Sequence, residues 1–168
     1  MNKIKLYCGG RFYFDYQKER YINQASEDYR AILLGDVHKL LYPQEECLIK
    51  EDVVYLGPFY FESENQNANG IIAAEMQMLA QCTDAIFILD KADCPGTIAE
   101  LIYASSLRKR IHIYYVRLSD TEETESELYT PNWYPIILSE QMNPYTTITA
   151  CANQKDAEQK AIAMICSL

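Results

Sequence analysis

The segment from Asp90 to Glu100, DKADCPGTIAE, holds the densest set of residues able to do chemistry. Pro95-Gly96 and Thr97 open a helix-favouring stretch, and the backbone N–H groups and dipole of a helix start favour an oxygen-rich ligand. Glu100 is expected on the first turn of this helix and Asp93 in the loop before it, both facing one cleft. Two carboxylates placed in this way suit reaction at an anomeric carbon. The transition state there resembles an oxocarbenium ion, so one carboxylate attacks and forms a glycosyl-enzyme while another group handles the leaving group's proton. A carboxylate at a helix start is also favoured in its ionised form, as a nucleophile requires. Glu100 has a structural reading as well, as the far residue of a capping box with Thr97 as the cap. Glu75 reaches the same cleft if its helix packs beside the strand at 85–90, and otherwise belongs to a solvated helix face.

The elements that must position these residues follow from hydrophobic patterning. IKLYC (4–8) is a short apolar run closed by Gly9-Gly10, the pattern of a strand and its turn. Residues 17–41 are helix-permissive, and Gly35 is placed to split them in two. DVVYLG (52–57) forms a second strand, 59–69 a polar loop with an aromatic start, and 70–81 a helix with Ile71, Ile72, Met76, Leu79 and Ala80 inward. AIFILD (85–90) is nearly all apolar, as a parallel strand covered on both faces should be. CPGTIAELIYASSLRK (94–109) is a helix and RIHIYYVRL (110–118) a fourth strand. The fifth strand comes from YPIIL (134–138) or YTTITAC (145–151), and 156–168 is a terminal amphipathic helix.

Strands alternating with helices imply βαβ units. The expected fold is α/β, a flavodoxin- or Rossmann-like doubly wound sandwich around a roughly five-stranded parallel sheet, forming a single domain over residues 1–168. In such folds ligands sit beyond the carboxyl ends of the strands. That rule selects the residues after Cys8, Gly57, Asp90 and Leu118. Gly9 and Gly10 allow a close approach of backbone to ligand, or simply a tight turn. No GxGxxG occurs, so a dinucleotide fingerprint is not supported.

The net charge of −9 disfavours nucleic-acid polymers and anionic membranes and points to small-molecule partners. No apolar run spans a bilayer and the N-terminus lacks a signal-peptide pattern, so a cytoplasmic protein is expected. Six cysteines are scattered without a CxxC pair and read as reduced thiols, Cys82, Cys151 and Cys166 as small core residues. His112, at alternating spacing in IHIYYV, reads as a packed histidine rather than a metal ligand. DTEETESE (120–127) reads as a solvated loop. The chain holds 14 tyrosines, and Tyr13, Tyr16, Phe59, Tyr60 and Phe61 fall in the two candidate pocket loops, as a wall for a base or as a subunit interface.

The run TDAIFILDKADCPGTIAELIYASSLRKRIHIYYV resembles the core of the nucleoside 2-deoxyribosyltransferase family. The likeness is carried by Asp84 and the strand after it, Asp90 and Asp93, Gly96-Thr97, Glu100, Tyr103-Ala104 and Arg108-Lys109-Arg110, and KIKLYCGGRFYFD resembles the family's opening strand. VVYLGPFYFES echoes that same opening. The resemblance covers residues 1–15 and about 70–117, the remainder matching in general layout only.

It implies Glu100 as nucleophile, Tyr7 as the group that hydrogen-bonds and orients its carboxylate, and Asp93 as the contact or proton donor for the departing base. Glu75 would stand near the family's sugar- or base-orienting Asp, and Gly9, Gly10, Gly96 and Thr97 would line the sugar. Two departures stand out: Cys94-Pro95 sets Asp93 one residue further back than in some members, and the helix-borne acid is a Glu. Arg11 is a candidate phosphate contact or a surface residue. The resemblance further implies a homo-oligomer, with Asn132 or Asn143 lent to a neighbouring site, and the glycosidic chemistry itself requires no metal or organic cofactor. The activity implied is exchange of a 2-deoxyribosyl group between nucleobases through a glycosyl-Glu100 intermediate. Alternatives are hydrolysis of deoxynucleoside monophosphates, cleavage of a nicotinamide dinucleotide, or a nucleotide sensor that binds without turnover. A phosphoribohydrolase of the lysine-decarboxylase-like family ranks lower, because only PGTIAE survives of its Gly-Gly-x-Gly-Thr-x-x-Glu segment.

Overall fold

The computed structural model describes residues 3–10, 27–41, 46–59, 68–90, 95–118, 128 and 130–168. The strands are β1 (Ile4–Gly10), β2 (Cys47–Lys50), β3 (Val53–Gly57), β4 (Asp84–Leu89), β5 (Arg110–Val116) and β6 (Thr146–Cys151). The helices are α1 (Tyr29–Leu34), α2 (Val37–Leu41), α3 (Ala68–Gln81), α4 (Pro95–Ser106), α5 (Trp133–Met142) and α6 (Gln154–Ser167). One six-stranded sheet has the order β2-β3-β1-β4-β5-β6. All neighbours are parallel except β2 and β3. The fold is thus the expected doubly wound α/β sandwich, enlarged by the edge strand β2.

Side-chain alternation along the strands builds a core on each face. Leu6, Cys8, Ile86, Ile88 and Tyr114 point to one side, where they meet Tyr29, Ala31 and Leu34 of α1 and Ala157, Ala161 and Ile165 of α6. Tyr7, Ala85, Phe87, Leu89, Ile111 and Ile113 point to the other, against Leu79 of α3, Leu101 and Ala104 of α4 and Ile136 of α5. Every residue of β4 is buried, which explains why the strand is apolar throughout after Asp84.

Several local expectations are met and several corrected. Gly35 ends α1 in the left-handed region at φ 66° and its N–H reaches Ile32 O, so it divides α1 from α2. Residues 134–138 are helical and β6 supplies the strand beside β5. Ile136 and Ser139, one helical turn apart, face inward from α5, and Ser139 Oγ lies 2.6 Å from Ser105 Oγ of α4. Ile72 is 54% exposed rather than inward on α3, and Ala80 is exposed as well. Cys166 is exposed, whereas Cys82 and Cys151 are buried as expected. His112 is half-buried, with Nδ1 2.9 Å from Thr147 Oγ1 across the β5–β6 pair. Among the described residues, no helix is long and apolar enough to cross a membrane.

Candidate active site

The site is positioned by the sheet's change of direction. From β1 the chain pairs on one side with β3 and on the other with β4, so the central strand's carboxyl end opens a crevice between two crossovers. Three elements on one face of the sheet converge there: β1 with Tyr7 and Gly9, α3 with Glu75, and α4 with Glu100.

Gly9 is a glycine because there is no room for more. A Cβ at this position would lie 2.5 Å from Phe87 Cδ1 and 3.1 Å from Glu100 Oε2. The Glu100 carboxyl therefore rests against the bare backbone of β1, with the Phe87 ring beside it. Gly9→Ala is expected to destabilise the fold by about 1–3 kcal/mol through overpacking, since the rigid Phe87 ring must move. Urea unfolding measures this directly, and an unchanged midpoint would mean that the ring yields freely.

Glu100 is only 8% exposed. Burial first, and then the nearby negative charge of Glu75, push its carboxyl up to about 8. The nearby Tyr7 hydroxyl acts in the opposite direction, and the positive charge of Arg30 also favours the ionised form. Burial raises Glu75 too, and its contact with Glu100 partly offsets that rise. The two carboxyls thus behave as a coupled pair. The phenol of Tyr7 is kept protonated by burial and by the charges of Glu100 and Glu75. Its hydroxyl lies near enough to Glu100 to act as a donor, yet no hydrogen bond of ordinary geometry is formed among the described residues. A buried hydroxyl left in that state is free to tighten onto a carboxylate when the site fills.

The helix start differs from the sequence expectation. α4 begins at Pro95, so Thr97 lies inside the first turn and Glu100 on the second. Thr97 is buried and does not stand at the cap position, which removes the capping-box reading of Glu100. The expected bias toward an ionised carboxylate is overturned as well: being one turn deeper and buried, Glu100 favours its proton. Gly96 is exposed with open space around it, and Gly10 adopts φ 153° at the end of β1. Asp93 and Arg11 lie outside the described residues, as do Tyr13, Tyr16, Tyr60 and Phe61. Phe59 is buried and packs edge-on against Tyr55, centroids 5.2 Å apart, so it belongs to the core rather than to a pocket wall.

The two asparagines are engaged within their own chain. Asn132 is buried and its Nδ2 donates to Asp90 O at 3.0 Å, tying the start of α5 to the end of β4. Asn143 is fully buried, with Nδ2 donating to Lys109 O at 2.7 Å before β5 begins. Asp84 and the basic run at 108–110 also lie at the amino ends of the strands, away from the site. Arg110 Nη2 bonds Asp84 Oδ2 at 2.8 Å, and Lys109 Nζ donates to the Ala80 and Cys82 carbonyls at 2.7 and 2.8 Å, closing the end of α3.

Sequence reasoning missed Asp28 and Arg30. Asp28 caps α1 by accepting from Arg30 N at 2.9 Å. The same carboxylate clamps the guanidinium, Arg30 Nε to Oδ1 at 2.8 Å and Nη2 to Oδ2 at 2.7 Å. The only available signal was an Asp two residues before an Arg in a helix-permissive stretch.

No protein-family model matches the chain, and no curated protein sequence matches it significantly. Among solved structures, the CMP N-glycosidase BcmB of Clostridium botulinum matches with a TM-score of 0.51 at 13% identity, over 95% of this chain and 98% of its own. Translation elongation factor SelB of Methanococcus maripaludis, in complex with the GTP analogue GppNHp, gives a TM-score of 0.43 at 14% identity, over 99% of this chain and 34% of its own. The second likeness is too loose to carry an argument, and the first is one of fold.

Proposed function

We propose that this chain is an enzyme that cleaves an N-glycosidic bond of a nucleoside or nucleotide, with Glu100 attacking the anomeric carbon. The observation that carries this reading is the meeting of Glu100, Glu75 and Tyr7 in the crevice between β1 and β4, against the bare backbone of Gly9. A fold shared with a CMP N-glycosidase over nearly the whole chain supports it.

A carboxyl pair with one raised member suits this chemistry, because near neutral pH the pair carries a proton as well as a charge. With the proton on Glu75, the Glu100 carboxylate is free to attack. The bond from the anomeric carbon to the base nitrogen breaks, its electrons leave with the base, and a bond to a Glu100 oxygen forms. Glu75 or Asp93 supplies the proton that the base nitrogen takes up. Tyr7 donates to the Glu100 oxygen that is not attacking and fixes the carboxylate's rotation. Gly9, Gly10, Gly96 and Thr97 line the sugar, and Arg11 is placed in sequence to meet a 5′-phosphate. In the second step water attacks the same carbon, the bond to the Glu100 oxygen breaks with its electrons returning to the carboxylate, and the water gives a proton to the general base, which yields hydrolysis. A second nucleobase in place of water gives transfer through the same intermediate, and transfer of a 2-deoxyribosyl group is the narrower form of this proposal.

The test is chromatography of purified protein with CMP, deoxycytidine monophosphate, deoxyuridine and deoxyinosine, each with and without free adenine. Release of free base regardless of adenine identifies a hydrolase, and adenine-dependent deoxyadenosine identifies a transferase. Absence of turnover with all of them, in folded protein, overturns the proposal in favour of a binding-only pocket.

A further inference from the structure

The carboxyl end of β1 outruns its partner on one side. Ile4 N donates to Asp52 O, so the even-numbered residues of β1 turn their backbone groups toward β3. Lys5 O accepts from Thr83 N, so the odd-numbered ones face β4. Pairing with β4 continues to Gly10↔Ile88, but pairing with β3 stops at Tyr7↔Gly57. The carbonyls of Cys8 and Gly10 thus extend past the last β1–β3 pair, on either side of Gly9. Arg30 occupies that position: its Nη1 lies 3.2 Å from Cys8 O and 3.4 Å from Gly10 O. The guanidinium side chain is 1% exposed and is held by the equally buried Asp28, at 3%.

We propose that Arg30, locked by Asp28, is a positioning residue of the site: it takes the place of the missing strand, fixes the Cys8 and Gly10 carbonyls, and so holds Gly9 and Tyr7 in register against Glu100. This rests on the reading of Glu100 given above, and it deepens that reading by adding a support from the opposite face of the sheet. A forked, planar donor suits the role, because the guanidinium engages the carboxylate through Nε and Nη2 and leaves Nη1 for the two carbonyls. The groups that face Arg30 are Asp28 and Tyr29 beside it, Cys8 on β1, Tyr55 on β3 and Glu158 on α6. Its charge also reaches Glu100 and favours the carboxylate there.

The experiment compares Arg30→Lys and Arg30→Met with the wild type. Folding is followed by thermal melting. Kinetics use whichever nucleoside is turned over. The Glu100 carboxyl is titrated by NMR of carbon-13 glutamate-labelled protein, with Glu100→Gln assigning the signal. Arg30→Lys keeps the charge and loses the fork, so kcat is expected to fall roughly tenfold or more with KM within about threefold. Arg30→Met is expected to raise the Glu100 midpoint by about half a pH unit, since a favourable cation is gone. Folded variants with unchanged kcat and unchanged midpoint would overturn the proposal and leave Arg30 a scaffold residue. If Arg30→Met does not fold, the kcat of Arg30→Lys decides alone. If the wild type turns over no nucleoside or nucleotide, the glycosidase reading fails by itself, and the titration still decides whether Arg30 acts on Glu100.

Discussion

Glu100→Gln is expected to lower kcat by roughly a thousandfold or more while leaving ligand affinity within a few-fold. Glutamine matches the shape of glutamate and keeps an oxygen facing the Tyr7 hydroxyl, so the crevice keeps its geometry. It cannot form the glycosyl-enzyme, and no other described carboxylate rests against Gly9 as Glu100 does. The variant should also fold at least as well as the wild type near neutral pH, because it removes a buried acid crowded by Glu75. Steady-state kinetics and equilibrium binding of the same ligand separate the two effects. A folded variant with kcat within tenfold of the wild type would remove Glu100 from the chemistry. Equal loss of binding and turnover would make it a ligand contact instead.

The second large effect is the response of stability to pH. The Glu100 carboxyl is raised from 4.5 to about 8 on folding. Between those values the folded chain holds a proton that the unfolded chain has released, so stability must fall as pH rises. The contribution is fully present below pH 4.5, declines through the window to about 8, and is level above it. Its size is on the order of a few kcal/mol, shared with Glu75 because the two titrate together. Urea unfolding of the wild type from pH 5 to 9 should show this decline, and Glu100→Gln should flatten it. A wild-type profile already flat across the window would mean that Glu100 is ionised throughout. Activity separates the two proton donors: kcat/KM should rise with pH as the nucleophile loses its proton if Asp93 protonates the base, and fall as the pair loses its last proton if Glu75 does. Glu75→Gln removes a like charge, so it should lower the Glu100 midpoint in an NMR titration.

Much of the scaffold was legible from residue patterns. β4 announced itself because a strand covered on both faces must be apolar throughout, and Gly35 because a left-handed C-cap favours glycine. β2 was not legible: it is four residues long, sits at an edge, and exposes Leu48, so it carries too few apolar positions to stand out. YPIIL looked as much like a strand as YTTITAC. The choice was made by tertiary packing, in which β6 completes the ladder beside β5 while Ile136 and Ser139 turn inward from a helix.

The site divides in the same way. Sequence alone determined which chemistry was available: a Gly-Gly strand end, a Gly-Thr helix start, and acids at positions 75, 93 and 100. Those features are local, because turn-forming glycines and helix starts are written in adjacent residues. Only the tertiary structure decided that Glu75 and Glu100, on separate helices, share one electrostatic environment, that Gly9 is a seat for a carboxyl, and that Arg30 stands behind β1 in place of a strand. It also turned Glu100 from an ionised residue of the first helical turn into a buried acid that holds its proton to about 8. The physical reason is that proton affinity depends on burial and on charges brought close by packing. Neither exists until the sheet has formed and both helices have docked on it.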